Sequence, residues 1–345
     1  MSFNKLITWS EGKFNHLPWR VDRSLYRTWI SEVMLQQTTV YTVKSRLDDF
    51  CKKFPNIKSL ANAKEEDLLI AWKGLGYYSR AKNLKKAAMY LVENFSGDFP
   101  ESIEELKLIP GIGPYTASAI FSIGQNKKAL AVDANLERVL CRYYGIKSEK
   151  GDKLKKLLHQ KFEDKEILQL KIKNWRGLNE AFMDLGREIC QSRSAFCELC
   201  PLRDGCIARS WDEPTSTPFV SEKKKIVKQE LSLLRVICEK DGKIYCYKKP
   251  KGTWLAGQYE IPTFVVDKTD EKIKQYPYLA IKNLPKKMIK SGITKYKITN
   301  HILKINESEI KKIGKFELIE KISAFKKLST TSVKCLDAAG VRSGL

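Results

Sequence analysis

Between Leu108 and Tyr115 the backbone has little freedom. Pro110-Gly111-Ile112-Gly113-Pro114 sets two prolines, which lack amide donors, beside two glycines that reach left-handed dihedrals without steric penalty. No regular element can run through such a stretch. Ser102 and Glu105 have the spacing of a capping box that opens a short helix ahead of it. The small and apolar run from Thr116 to Ile123 restarts a helix at once on the far side. A turn of this kind aims the free amides of a helix N-terminus outward, a geometry that suits a phosphate, with Gly111 and Gly113 allowing close approach. A tight structural corner would satisfy the same pattern, and the turn alone does not separate the two. Further on, Asp133 is placed to begin the next helix, whose apolar stripe is Leu136, Val139, Leu140 and Tyr143.

Charge indicates what a phosphate-facing turn would meet. The chain carries 63 basic against 40 acidic side chains, a formal net charge of +23. That excess favours a polyanionic partner, although a lysine-rich composition would raise the same figure everywhere. Hydrophobic content of 43% is ordinary for a globular chain. No run of about 18 apolar residues suggests a membrane span. Met1 to Lys5 leads into a mixed amphipathic stretch rather than the apolar core of a signal peptide. A length of 345 residues allows two domains.

The N-terminal part reads as helical. Trp9 to His16 precedes a turn at Leu17-Pro18-Trp19-Arg20, and Tyr26 to Val43 reads as one helix with apolar Trp29, Ile30, Val33, Met34 and Val40. Glu32 lies within that apolar stretch, followed by Gln36-Gln37-Thr38. A carboxylate there is costly unless it is partnered or useful, or unless it faces solvent on the polar side. Leu60 to Trp72 reads as another helix, then Gly74-Leu75-Gly76-Tyr77-Tyr78-Ser79-Arg80 joins two glycines, two aromatics and a cation. Such a loop can offer a ring to unstacked bases, or it can be a packed aromatic corner. Lys82 to Asn94 reads as the next helix.

Residues 148–174 are lysine-rich and amphipathic, a solvated helical face. Cys190, Cys197, Cys200 and Cys206 then form C-x6-C-x2-C-x5-C. With nine cysteines and no secretion signal, a disulfide framework is disfavoured and metal ligation favoured. Four thiolates can satisfy zinc or a [4Fe–4S] cluster, and spacing alone leaves both open. Arg187, Arg193, Arg203 and Arg209 flank the loop. Composition changes after Trp211: residues 212–229 read as a linker, with Pro214, Pro218 and a lysine run. Beyond it, Leu231 to Cys238 and Lys243 to Tyr247 read as strands joined by Asp241-Gly242, Lys295 to Ile305 alternates, and Ser323 to Leu328 reads as a short helix. The expected architecture is a mainly α domain over 1–211 that includes a cysteine loop at 190–206, and a smaller α+β domain over 230–345.

Taken together, these residues resemble the MutY family of adenine DNA glycosylases in the helix-hairpin-helix superfamily. The likeness runs through Leu17-Pro18-Trp19-Arg20, Ser31 to Thr38, Gly74 to Tyr78, the hairpin, Val132-Asp133-Ala134-Asn135 and the four cysteines. It implies a helix-hairpin-helix glycosylase domain whose cysteines hold a [4Fe–4S] cluster. Residues 230–345 look like the family's Nudix-related domain, matched best at Gly252–Pro262 and lacking a Nudix catalytic box. The implied substrate is double-stranded DNA with adenine opposite 8-oxoguanine or guanine. The implied setting is a monomer in the bacterial cytoplasm, associated with the nucleoid. The implied roles are Glu32 as general acid, Asp133 as stabiliser of the sugar cation, and Tyr115 and Asn135 as positioning groups. Gln36, Gln37, Thr38 and Tyr77 would lie at the DNA, and Arg20 and Glu180 at the base pocket. An endonuclease III-type lyase would need a lysine nucleophile where Tyr115 stands, and a non-catalytic DNA-binding homologue would not need both carboxylates. One departure is at Ile298-Thr299-Asn300, the counterpart of the family's Phe-Ser-His recognition loop, where a hydroxyl survives at Thr299 but the imidazole is replaced by an amide or shifted by one residue to His301.

Overall fold

The computed structural model describes residues 2–163, 172–220, 228–293 and 295–342. The parts of the expected lysine-rich helix at 164–171 and of the expected linker at 221–227 lie outside the described residues. The chain forms two compact units, residues 1–63 with 82–223, and residues 64–81 with 224–345.

The first unit is helical. Its apolar positions repeat at helical spacing, so each helix buries one stripe. Leu136, Val139 and Leu140 meet Phe3, Leu6, Leu178, Phe182 and Leu185 in one core. Burying a side chain of this kind contributes roughly 1.5–3 kcal/mol. The first helix is Ser2–Ser10, not Trp9 to His16, because Gly12 and Phe14 both turn left-handed. Leu17-Pro18-Trp19-Arg20 opens a single helical turn, Pro18–Val21, with proline at its first position where a missing amide costs nothing.

The helix expected over Tyr26 to Val43 is two. Leu25–Leu35 ends where Gln37 adopts a φ of 58°, and Val40–Lys44 begins anew with the Thr39 hydroxyl accepting from the Thr42 amide. The stretch Leu60 to Trp72 also divides, into Ile57–Ala61 and Glu65–Ala71. An Asn56/Ser59 capping box starts the first, and Glu65, Glu66 and Asp67 suit the N-terminal turn of the second. Within residues 212–220, read as the start of a linker, Thr217 is buried and its hydroxyl donates to the Ile146 carbonyl at 2.6 Å.

Among the described residues the α+β region of the second unit holds eight strands: β1 (Gln229–Ile237), β2 (Glu239–Lys240), β3 (Lys243–Lys248), β4 (Tyr259–Glu260), β5 (Thr263–Val265), β6 (Met288–Ile293), β7 (Tyr296–Lys304) and β8 (Glu317–Glu320). One sheet has the order β5-β1-β7-β6, with β1 and β7 parallel and Leu233 opposite Asn300. The other joins β2, β3 and β4, with β8 also on β3. Asp241 and Gly242 both take positive φ, as a tight hairpin turn requires. Helices Lys321–Lys327 and Thr330–Ala338 close the region.

Candidate active site

Helix Ile103–Leu108 stops at the proline-glycine turn, and Pro114–Ala119 restarts after it. Ser102 accepts from the Glu105 amide at 3.2 Å, so one half of the expected capping box forms. Gly111 has a φ of 81°, and a Cβ there would lie 2.6 Å from the Cβ of Asn83. Only glycine fits. Gly113 is extended, with open space where its Cβ would be, and as N-cap it leaves the first amides of the helix facing outward. A π turn at Ile120–Gly124 ends this segment.

Glu32 is not on a solvent face. Every residue from Thr28 to Met34 is buried. The Tyr115 hydroxyl, from the first turn after the hairpin, donates to Glu32 Oε2 at 2.6 Å. Burial pushes the Glu32 carboxyl up to about 7, against the Tyr115 hydrogen bond, with the negative charges of Asp133 and Glu180 adding to the rise and Arg20 opposing it. Tyr115 itself is held well above the usual phenol range by burial and by Glu32. Gln36 ties the two segments further, its Nε2 donating to the Thr116 hydroxyl at 3.1 Å. Thr38 donates to the Gln36 carbonyl at 3.4 Å, and Gln37 is exposed.

Asp133 caps helix Ala134–Tyr143. Its Oδ1 accepts from the amides of Asn135 and Leu136, and its Oδ2 from Asn135 Nδ2, all at 2.8 Å. Burial raises its pKa, while these donors and Arg138 pull it back toward the ionised form. The contrast with Glu32 therefore lies in hydrogen bonding: one O–H donor against three N–H donors at a helix N-terminus, with both groups buried. Gly186 permits this packing, since a Cβ there would meet Asn135 Cβ at 2.6 Å.

Arg20 and Glu180 were expected at a base pocket, and Arg20 has a different principal partner. Its guanidinium makes a two-pronged pair with Asp184, both contacts 2.9 Å, and the side chain is 5% exposed. Ser10 completes the carboxylate at 2.6 Å. Glu180 accepts from Arg23 at 2.7 Å and lies 3.7 Å from Arg20 Nε. Together with Lys13 and Arg176, these groups line a cleft.

Sequence reading missed Arg138, Arg142 and Asp184. Arg138 donates to Asn135 Oδ1 at 2.9 Å and to the carbonyls of Cys190 and Gly186 at 2.7 Å, joining Asp133's neighbour to the cysteine loop. Asp184 carried the signal that marked Glu32, a carboxylate within an apolar helix. The two arginines had none beyond their helical position.

Cys190, Cys197, Cys200 and Cys206 line one cavity with Arg142, Arg203 and Arg209. Cys190 is held by its own amide, which donates to the Leu185 carbonyl at 2.8 Å. Among the described residues no three His, Cys, Asp or Glu side chains converge to hold a metal ion. Zinc would draw its sulfurs to about 4 Å of one another, whereas an iron–sulfur cluster spreads its thiolates wider. The donor set, four thiols around one cavity, fits a four-thiolate metal centre of either kind.

Tyr77 and Thr299 belong to the second unit. Tyr77 has a φ of 43° and is 62% exposed, with the Arg80 guanidinium 5.7 Å from its ring centroid. The segment Ile298-Thr299-Asn300 is not a loop. It sits inside β7, paired on both sides, with Thr299 between Ser232 and Lys290. Asn300 is fully buried, accepting from Arg235 Nε at 2.8 Å and donating to Ser291 Oγ at 2.9 Å. It points into a buried charge network in which Arg235 and Lys249 share Glu260. Among the described residues no helix is long and apolar enough to cross a membrane.

Residues 30–164 match the HhH-GPD superfamily of base excision DNA repair proteins. Among solved structures, a thermostable thymine-DNA glycosylase superposes with a TM-score of 0.53 and 26% identity, over 60% of this chain and 94% of that one. The chain is also similar to curated adenine DNA glycosylases. It is 40% identical over 222 residues to the adenine DNA glycosylase of Buchnera aphidicola subsp. Schizaphis graminum, covering 64% of this chain and 63% of the relative. It is 36% identical over 213 residues to the Homo sapiens adenine DNA glycosylase, covering 59% and 38%. The chain thus spans less than two thirds of the length of these curated relatives.

Proposed function

We propose that this chain is a monofunctional adenine DNA glycosylase, hydrolysing the N-glycosidic bond of adenine opposite 8-oxoguanine or guanine in double-stranded DNA. The reading rests above all on the pair of unlike carboxyls, Glu32 poised to hold a proton near neutral pH and Asp133 gripped by three N–H donors.

Adenine is a poor leaving group and its bond to the sugar is inaccessible in the duplex, so the nucleotide must be flipped out. Glu32 then protonates a ring nitrogen. Tyr115 occupies Oε2, which leaves Oε1 to deliver the proton. As the C–N bond breaks, its electrons leave with the base and positive charge develops on the sugar. Asp133, aimed by Asn135, stabilises that charge electrostatically or covalently until water adds. The amides of Gly111, Gly113 and Tyr115 hold a phosphate. Gln37 and Tyr77, both exposed and both in strained left-handed backbone, enter the stack beside the target. Gln36 and Thr38 fix the turn that carries Gln37. Glu180, braced by Arg23 and Arg20, borders the base pocket.

Cys190, Cys197, Cys200 and Cys206 would hold a [4Fe–4S] cluster, which when bound cross-links their loop. The α+β region, by its likeness to a Nudix-related domain, reads the base opposite adenine, with the Thr299 hydroxyl on the sheet surface as one contact. A Schiff-base lyase is disfavoured because Tyr115 stands where that chemistry needs a lysine.

The test is single-turnover incubation with duplexes carrying A opposite 8-oxoguanine, G or C. We expect adenine release fastest opposite 8-oxoguanine or G, with the abasic strand intact until alkali is added. Strand cleavage without alkali, or borohydride trapping of protein on DNA, would contradict the monofunctional assignment.

A further inference from the structure

Arg142 lies on the helix that Asp133 caps and is only 2% exposed. Among the described residues every partner of its guanidinium is a carbonyl or a sulfur. Nε donates to the Thr217 carbonyl at 2.8 Å, Nη1 to the Gln191 carbonyl at 2.7 Å and to Cys190 Sγ at 3.3 Å, and Nη2 to the Ser192 carbonyl at 3.3 Å. Its own carbonyl accepts from the Cys206 thiol at 3.6 Å. The residue thus touches the first and the last cysteine of the loop, and its head group bonds the chain beyond each, at Gln191 and Ser192 and at Thr217. A desolvated cation without a counter-anion costs several kcal/mol, and carbonyl dipoles offset that only in part. The other two arginines of the cavity differ. Arg203 and Arg209 are about 40–50% exposed and pair with Glu198.

We propose that Arg142 is the internal counter-cation of the metal-bound thiolates and sets how firmly the loop keeps its cluster. This rests on the reading of the four cysteines as cluster ligands. Ligation strips four protons from the thiols and makes the site anionic. Arg142 is the buried positive charge already in place to meet that anion. Its N–H···S contact with Cys190 draws electron density from the sulfur, which favours the reduced state of the cluster. Its bonds to the Gln191 and Ser192 carbonyls hold the start of the loop on the helix, and its bond to the Thr217 carbonyl holds the chain beyond it, so the ligands meet the metal with less ordering left to do. Lysine would keep the charge but not the fork, and glutamine neither.

The experiment compares purified wild-type chain with Arg142→Gln, Arg142→Lys and Arg203→Gln. It measures iron and zinc per chain, iron loss to a chelator, reduction potential and far-UV circular dichroism. Wild type should contain about four irons. Arg142→Gln should lose iron about 10–100-fold faster, the usual effect of removing a group that supports a metal ligand. Arg142→Lys should fall between, with a potential below wild type, and Arg203→Gln should match wild type. If Arg142→Gln does not fold, Arg142→Lys carries the test. Wild-type iron retention and potential in that variant would overturn the proposal. Wild-type protein that holds zinc or no metal would instead overturn the cluster reading, whatever the variants do.

Discussion

Glu32→Gln should stabilise the fold, and the way that gain depends on pH tests the burial argument independently of any DNA. In the unfolded chain this carboxyl ionises near 4.5, and in the folded chain near 7. A folded pKa above the unfolded value means that the native state binds the proton more tightly. Wild-type stability therefore falls as pH rises between the two values and levels off above about 7. With 1.36 kcal/mol per pKa unit, the ionised carboxylate costs the fold about 3 kcal/mol at pH 8, of which about 2 kcal/mol accrues between pH 5.5 and 8. Glutamine has nearly the same shape, can accept the Tyr115 hydrogen bond, and never ionises. Urea denaturation of both proteins, each loaded alike with any metal it carries, should give a stability difference that widens in favour of Glu32→Gln by about 2 kcal/mol over that range. A difference that stays constant with pH, or narrows, would show that Glu32 ionises without penalty and that its surroundings do not hold a proton.

Three other perturbations follow from the same geometry. Asp133→Asn keeps the helix cap but removes the full charge facing the sugar, so single-turnover excision should slow by about 10²–10³-fold or more, while duplex affinity measured by fluorescence anisotropy changes little. Binding that relies on the +23 charge and the hairpin amides should weaken steeply with salt, by about 10³–10⁵-fold between 50 and 200 mM, and a flat anisotropy titration series would refute phosphate-dominated binding. Asn300→Ala leaves a buried Arg235 N–H unpaired and should destabilise the second unit by about 1–3 kcal/mol in denaturant melts. A loss of opposite-base preference with unchanged stability would return Asn300 to the reading surface.

What could be read from sequence, and what could not, divides along the range of the interactions. The hairpin was legible because Pro110, Gly111, Gly113 and Pro114 act on their own backbone, and Asp133 because a cap is satisfied two and three residues away. Glu32 was legible as an anomaly, a carboxylate among apolar neighbours. Arg20, Arg138 and Arg142 were not, because each offsets its burial with partners about 50–160 residues distant. The break after Leu35 had no glycine or proline to announce it, and the strain falls on Gln37 instead. At Thr299 the alternation of Lys297, Thr299 and His301 with buried Ile298, Asn300 and Ile302 marked a strand, and the alternation over Lys295 to Ile305 was a better guide than likeness to a recognition loop.

The central claim is that a protonated Glu32 donates the proton that releases adenine. The most direct measurement is the single-turnover excision rate as a function of pH, on a duplex with adenine opposite 8-oxoguanine. With the carboxyl titrating at about 7, the rate should be nearly level at lower pH and fall about tenfold per unit above it, in wild type, with residual activity in Glu32→Gln lacking that limb. A rate that instead climbs as pH rises through 7 would mean the ionised carboxylate is the working form, and the acid role assigned to Glu32 would be wrong.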